Sequence, residues 1–241
     1  LRLDVTKLKS FDVVLHLESL LAILVYFWKD VKGMMVAFFR FISGRLDKDD
    51  PYGKLIVYIV IGTIPAVLLG YFGEDYLDAT FRNVESIAIL MIIVGCIFLL
   101  AELVYKKFAE RKSDVRGWWR ALIIGLAQAL ALVPGVSRSG ATITAGIFQG
   151  IDRAAAARFS FLLGIPAIVG AGLLTGLKIF KNGGLESEKL ELSVILIGFF
   201  SSLIFGLLSI WLLMKFLKKH GLGVFGVYRI ALGIILLSYF L

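Results

Sequence analysis

The chain has 241 residues, 59% of them hydrophobic, with a net charge of +8 and a mean hydropathy of +0.89. Soluble domains are about 45–50% apolar, so this composition points to a polytopic membrane protein that uses its whole length in the bilayer. Lys and Arg gather between apolar stretches, which reads as an orientation signal and contact with anionic lipid, and speaks against nucleic acid as a partner. A lone Cys96, with His16 and His220 as the only histidines, gives neither a disulfide framework nor a thiolate or histidine metal centre.

A helix crosses the bilayer core with about 20 apolar residues. The chain opens Leu1-Arg2-Leu3-Asp4, and a charged stretch with Lys7 and Lys9 leads into a predicted span over 11–28. No small-x-small cleavage site follows, so it reads as a true span and not a signal peptide. Met34 to Ile42 is apolar with basic neighbours and predicts an interfacial helix. Spans are predicted at 54–73 and 85–105, the latter placing Cys96 in packing and Glu102 four residues before Lys106, in ion-pair register. Residues 117–149 form a hydrophobic region broken in its middle, and further spans are predicted at 155–178, 191–214 and 222–240. Trp28, Trp118, Trp119 and Trp211 suit interfacial belts, and Arg153 and Arg158 suit snorkelling at a membrane rim.

Charge fixes the sides. The 29–53 loop carries Lys29, Lys32, Arg40, Arg45 and Lys48, and the 106–120 loop carries Lys106, Lys107, Arg111, Lys112, Arg116 and Arg120. Both are expected in the cytoplasm, with the 74–84 loop (Glu74, Asp75, Asp78, Arg82) outside. The Lys215, Lys218 and Lys219 cluster is also expected inside, which puts 181–190 outside and Arg153 back in the cytoplasm. Residues 117–149 therefore start and end on one side, as a re-entrant pair of half-helices. The first arm, Trp118 to Val133, would reach about 24 Å across, toward the outer face. The fold class expected is all-α: a bundle of about six transmembrane helices plus a re-entrant pair, in a single transmembrane domain over 1–241. Gly62-Thr63-Ile64-Pro65-Ala66 faintly echoes Gly164-Ile165-Pro166-Ala167, as in an inverted repeat with one re-entrant hairpin missing.

The break at the hairpin tip is Pro134-Gly135-Val136-Ser137-Arg138-Ser139-Gly140-Ala141-Thr142. A guanidinium at membrane depth costs roughly 2.5 kcal/mol or more, and a broken helix is tolerated there only where protein or water satisfies its backbone. Arginine, hydroxyls and bare N–H groups together suit a phosphate-like anion. Taken alone, Arg138 could equally be a structural cation bonding carbonyls at the break. Gln128 is open between interhelical bonding and facing the pocket, while Ser139 and Ser160 suit helix packing.

With Gly125-Leu126-Ala127-Gln128 ahead of it, this run closely resembles the PGxSRSxxT signature of the bacitracin-resistance family of undecaprenyl pyrophosphate phosphatases. The resemblance extends to Phe11-Asp12-Val13-Val14-Leu15-His16-Leu17, Gly62 to Ala66, Leu99-Leu100-Ala101-Glu102 and Arg158-Phe159-Ser160-Phe161-Leu162, and so covers nearly the whole chain. It implies a bacterial cytoplasmic-membrane enzyme that hydrolyses undecaprenyl pyrophosphate to undecaprenyl phosphate and phosphate, recycling the carrier lipid of wall synthesis, with its site toward the outer face. It implies that Arg138 grips the pyrophosphate, that Ser137 and Thr142 donate to its oxygens, that Gly135, Ser139, Gly140 and Gln128 complete the substrate pocket, and that Mg²⁺ or Ca²⁺ is required.

The family's N-terminal motif, with two glutamates and a Pro-x-Ser-Ser-x-Gly-His run, has no counterpart here, and Leu1 to Ser10 match the linker beyond it. The metal carboxylates are thus expected to be absent, and the chain reads as a truncated homologue that is nearly inert alone. Glu18 stands where a small residue is expected and is not a metal ligand. The alternative function is a transporter or flippase that binds an anionic polyprenyl-phosphate headgroup without hydrolysis. Partners expected are the polyprenyl pyrophosphate and the bilayer, with homodimerisation open.

Overall fold

A computed structural model describes residues 9–107, 113–181 and 192–240. The 181–190 loop beyond Lys181, the loop cations Arg111 and Lys112, and most of the Leu1 to Ser10 linker lie outside the described residues. Among the described residues the elements are helices: α1 (Lys9–Tyr26), α2 (Trp28–Ile42), α3 (Pro51–Phe81), α4 (Val84–Lys107), α5 (Trp118–Leu130), α6 (Arg138–Phe148), α7 (Arg153–Lys181), α8 (Leu192–Leu217) and α9 (Gly223–Phe240).

Five stretches of the described residues are long and apolar enough to cross a membrane: Pro51–Gly73, Val84–Lys107, Arg153–Leu173, Leu196–Leu217 and Gly223–Phe240. They match five of the predicted spans, and the protein is a multi-pass, all-α membrane protein. The first predicted span corresponds to α1, of 18 residues. α2, with 15 residues and Phe38, Phe39 and Phe41 exposed, is too short to cross, as expected for the Met34 to Ile42 segment. Pro65 and Pro166 sit inside continuous α3 and α7.

Three local expectations are corrected. The 74–84 loop is helix as far as Phe81, because no Gly or Pro interrupts the run after Gly73. Cys96 is exposed on α4 instead of packed. Glu102 does not bond Lys106; it pairs with Arg153, 51 positions on.

The chain falls into two compact units, Leu1–Val36 with Gly164–Leu213 and Ala37–Leu163 with Met214–Leu241. In the first, Glu18 of α1 is buried, accepts a bond from Ser19 Oγ at 3.1 Å, and lies against Gly206 of α8, where a Cβ would come within 2.6 Å of its Oε1. Small residues at such seams let helices approach closely in lipid.

The second unit carries the signature run. Within it α4 packs on α9, α3 on α5, and α6 on both α5 and α4. α4 and α9 meet at Gly95 and Gly226, where a Cβ on either would stand 2.8 Å from the other's carbonyl oxygen. Gly125 of α5 lies on the Gly62 backbone of α3, which gives the Gly62 to Ala66 segment a packing role. Ile124, Ile143, Ile147, Leu162 and Leu163 fill the core of this unit.

α5 and α6 form a helical hairpin whose two ends are joined. Ser113 N donates to Gly150 O at 3.2 Å and Asp152 N donates to Ser113 O at 2.9 Å, so the chain leaves the hairpin beside the point where it began. The first arm ends at Leu130 and not Val133: three tight turns from Ala131 to Val133 bond to Gln128, Ala129 and Leu130 carbonyls. At 13 residues the α5 arm is about 20 Å long.

A polar clasp holds that base. Arg153 Nε donates to Glu102 Oε1 at 3.1 Å and its Nη2 bonds Glu102 Oε2, while the guanidinium lies 3.8 Å from the centre of the Tyr105 ring. Glu102 Oε1 also accepts the Leu222 N–H at 2.7 Å, just ahead of α9. Tyr105 donates its hydroxyl to Asp152 at 2.9 Å, and Asp152 caps α7 by accepting from Ala154 N at 3.0 Å. One carboxylate thus ties α4, α7 and α9 together. Arg153, expected as a snorkelling side chain, is a bidentate partner in this clasp.

Candidate functional site

At the far end of the hairpin from the clasp, residues 131–137 cross from α5 to α6. Gly135 makes the turn with φ of 94°, and a Cβ there would stand 3.0 Å from both Ile87 Cα and Ile87 O. The position therefore demands glycine twice, for its left-handed conformation and for its contact with α4 backbone. Ser137 is the N-cap of α6, extended at φ −74° and ψ 120°, and its Oγ accepts the Gly140 N–H at 3.2 Å. Accepting leaves the Ser137 hydroxyl proton free to donate elsewhere.

Arg138 follows as the first residue of α6 and is exposed, and no hydrogen-bond or ion-pair partner holds its guanidinium among the described residues. It is not the carbonyl-bonding structural cation that the sequence left open. The first N–H groups of a helix have no intrahelical acceptor, so the Arg138 and Ser139 amides point from the same end, where the helix dipole favours negative charge. Arginine, helix N-terminus and Ser137 hydroxyl thus lie within consecutive residues at one end of α6.

The other signature residues are arranged around this end. Thr142 is fully buried, with its Oγ1 2.9 Å from Arg138 O, 3.1 Å from Ser139 O and 2.6 Å from Ser160 Oγ. In this arrangement it braces the first turn of α6 against α7 and does not face the tip. Ser139 is half-buried. Gly140 is buried, and a Cβ there would run into the Phe98 ring, 3.0 Å from Cε1, and lie 3.0 Å from Ser137 Oγ. Gln128 is 2% exposed, and neither its Oε1 nor its Nε2 has a partner among the described residues. It makes no interhelical bond among the described residues, leaving a buried polar amide that a water or ligand atom would satisfy.

One residue of the tip escaped the sequence reading. Arg229 of α9 donates from Nη2 to the Gly135 carbonyl, and its Nε is buried without a partner among the described residues. Its guanidinium lies 5.8 Å from the centre of the Phe98 ring. A second arginine therefore holds the turn that presents the first. The available signal was the one that marked Arg138: a lone guanidinium within an apolar span.

Two guanidiniums, hydroxyls and amides make a cationic donor set that fits an anion and does not fit a divalent cation, which takes oxygen ligands. No group of three or more His, Cys, Asp or Glu side chains able to hold a metal ion occurs among the described residues.

Both tip glycines give a graded expectation. Gly140→Ala should destabilise the protein by about 1–3 kcal/mol as the Phe98 ring is forced aside. Gly135→Ala should be worse, because it meets unyielding backbone at a strained φ. Thermal unfolding in detergent checks the order; equal melting points for both variants and the parent would contradict this packing.

The chain matches the family described as bacitracin resistance protein BacA over residues 2–235. It is 43% identical over 224 residues to the undecaprenyl-diphosphatase of Desulforudis audaxviator, covering 93% of this chain and 80% of that protein. Identity is 43% over 235 residues to the protein of the same name from Thermomicrobium roseum, at 95% and 83% coverage. It is 41% over 223 residues to that of Rubrobacter xylanophilus, at 92% and 80%. The matched stretch contains the signature tip, both arginines and the clasp at the base of the hairpin, and the chain belongs to the bacitracin resistance protein BacA family.

Proposed function

We propose that the protein hydrolyses undecaprenyl pyrophosphate to undecaprenyl phosphate and phosphate, in the manner its relatives' name describes, with the hairpin tip as the phosphate site. The observation that carries this reading is Arg138: exposed, unpartnered among the described residues, and at the N-terminus of α6. Hydrolysis adds water across the P–O–P link, so negative charge shifts toward the bridging and terminal oxygens as that bond breaks. Phosphoryl transfer is chiefly positioning and charge stabilisation, and a planar fork suits two phosphates better than a point charge does. In this scheme the Arg138 guanidinium and the Arg138 and Ser139 amides take the phosphate oxygens, the Ser137 hydroxyl donates to another, and Arg229 fixes the Gly135 carbonyl so that the tip keeps its shape. The polyprenyl tail stays in lipid beside the apolar helices. Such a reaction would recycle the carrier lipid of bacterial wall synthesis and account for bacitracin resistance.

The test is phosphate release from a polyprenyl pyrophosphate in detergent micelles, by this chain and by a form that carries the family's N-terminal motif, the second being the one expected to be active. Release that needs Arg138 supports the reading. Tight binding of the lipid pyrophosphate with no release under any condition would point instead to a carrier that moves the headgroup without hydrolysis.

The requirement for Mg²⁺ or Ca²⁺ is a separate part of the proposal, and no step is routed through the ion because the described tip residues do not fit it. EDTA should abolish release and added Mg²⁺ restore it; an unchanged rate in EDTA would remove the cation from the scheme.

We further propose that the protein lies in the bacterial cytoplasmic membrane with the α5–α6 hairpin re-entrant and its tip toward the outer face. The bridge between Ser113 and Ile151 supports a start and return on one side. In a Cys96→Ser background, cysteines introduced at Asp114 and Ala154 should label from the same side of a sealed vesicle. Labelling from opposite sides would overturn the re-entrant topology.

A further inference from the structure

A second polar feature lies at the opposite end of the hairpin from Arg138. A cavity of about 600 Å³ opens between the start of α3, the segment just ahead of α5, and the first turns of α7. Its volume is that of a small-molecule site. The α5 helix, 13 residues long and hence about 20 Å, separates it from the tip, so it does not belong to the phosphate site.

The lining is divided by chemistry. Lys54, Arg116 and Arg158 face two carboxylates, Asp49 and Asp114, while Leu55, Phe159 and Leu162 form an apolar wall. Lys54 is already engaged, bonding Asp49 at 2.6 Å; its ammonium holds that exposed carboxyl below the usual carboxylate range. Arg116 is exposed and has no ion-pair partner among the described residues. Tyr58, also lining the cavity, uses its hydroxyl to accept the Gly117 N–H at 3.0 Å, which fixes the backbone next to Arg116. The cavity thus presents Arg116, without an ion-pair partner among the described residues, at the end of apolar spans and beside a greasy wall.

A free anion would use the cations and leave the apolar wall wet. A zwitterionic lipid would use the wall and gain little from the cations. We propose that this cavity binds an anionic glycerophospholipid, with its phosphate against Arg116 and Arg158 and the start of its acyl chains against Leu55, Phe159 and Leu162. Basic pockets between transmembrane helices are suited to such headgroups. The site does not depend on the phosphatase reading, since no residue of the tip takes part.

Native mass spectrometry of the detergent-purified protein tests this, with phosphatidylglycerol, phosphatidylcholine and inorganic phosphate as separate probes. Phosphatidylglycerol should be retained in preference to phosphatidylcholine, and inorganic phosphate should not displace it. Arg116→Ala with Arg158→Ala should reduce retention about tenfold, while Lys218→Ala, outside the cavity, should leave it unchanged. Because Arg116 is exposed, Arg116→Glu alone supplies a variant whose folding is not at stake, and it should lower retention as well. Arg116→Lys, which keeps the charge, should hold most of it. Equal retention of the two lipids, retention unchanged in Arg116→Glu, or displacement of lipid by inorganic phosphate would each overturn the assignment.

Discussion

In a form that carries the family's N-terminal motif, Arg138→Ala should lower the rate of phosphate release at least about a hundredfold without changing the melting temperature. The rate effect follows from the size of a lost transition-state donor, about 2.7–4 kcal/mol when the donor acts in a preorganised site. The unchanged stability follows from the structure: the side chain is exposed and nothing among the described residues bonds it, so its removal breaks no contact of the fold. Arg138→Lys should fall between the two, keeping the charge and losing the fork. Arg229→Ala differs in kind, since it releases the Gly135 carbonyl and should lower both activity and melting temperature. Full activity in Arg138→Ala would sink the phosphate-site assignment, and loss of stability in that variant would return Arg138 to a structural role.

Glu102→Ala should be the most destabilising polar substitution, by about 3 kcal/mol, near the lower end for breaking a buried ion pair. The lower end applies because the Glu102 and Arg153 side chains retain 13% and 16% exposure, so water partly answers the charge left behind. The variant loses both bonds to Arg153 and the acceptor of the Leu222 N–H, which frees α9 from α4 and α7 together. Glu102→Gln should cost less, because its amide oxygen can still accept from Leu222. Thermal unfolding in detergent separates the two. If Glu102→Ala melted with the parent, the clasp would not hold the base of the hairpin. Since the clasp and tip lie at opposite ends of α5, activity per folded molecule at low temperature should change little.

Much of the architecture was legible because lipid imposes strict rules on sequence. Apolar runs of adequate length became α3, α4, α7, α8 and α9, and basic loops marked where they end. The hairpin was also legible, from a proline and glycines inside a hydrophobic region together with charge parity at its flanks. The signature run fell at the break between α5 and α6, and its Ser137 proved to be the α6 cap, the role a serine ahead of a helix is suited to.

Polar pairing was not legible at that level. Glu102 and Lys106 are in register along one helix, and local spacing suggested their bond. A long arginine arriving from α7 won instead, because a bidentate fork over an aromatic ring holds a carboxylate better than an exposed lysine one turn away. Thr142 and Ser160, 18 positions apart, likewise found one another only through the packing of α6 on α7. Arg229 carried the signal of a lone guanidinium in an apolar span, but its role was hidden because its partner, the Gly135 carbonyl, lies 94 positions away.

An all-α membrane protein, the place of the helix break, and Arg138 as the cation at that break could be read from the chain alone, since hydropathy, Pro and Gly, and the penalty for buried charge act over short stretches of chain. Which groups answer which came from the packing: Arg138 is left unpaired among the described residues while Arg153 and Arg229 are engaged, Thr142 braces α6, and a basic cavity opens at the other end of the hairpin. These depend on which helices pack side by side, and in an apolar bundle helix packing is set by small residues and shape complementarity spread over distant parts of the chain.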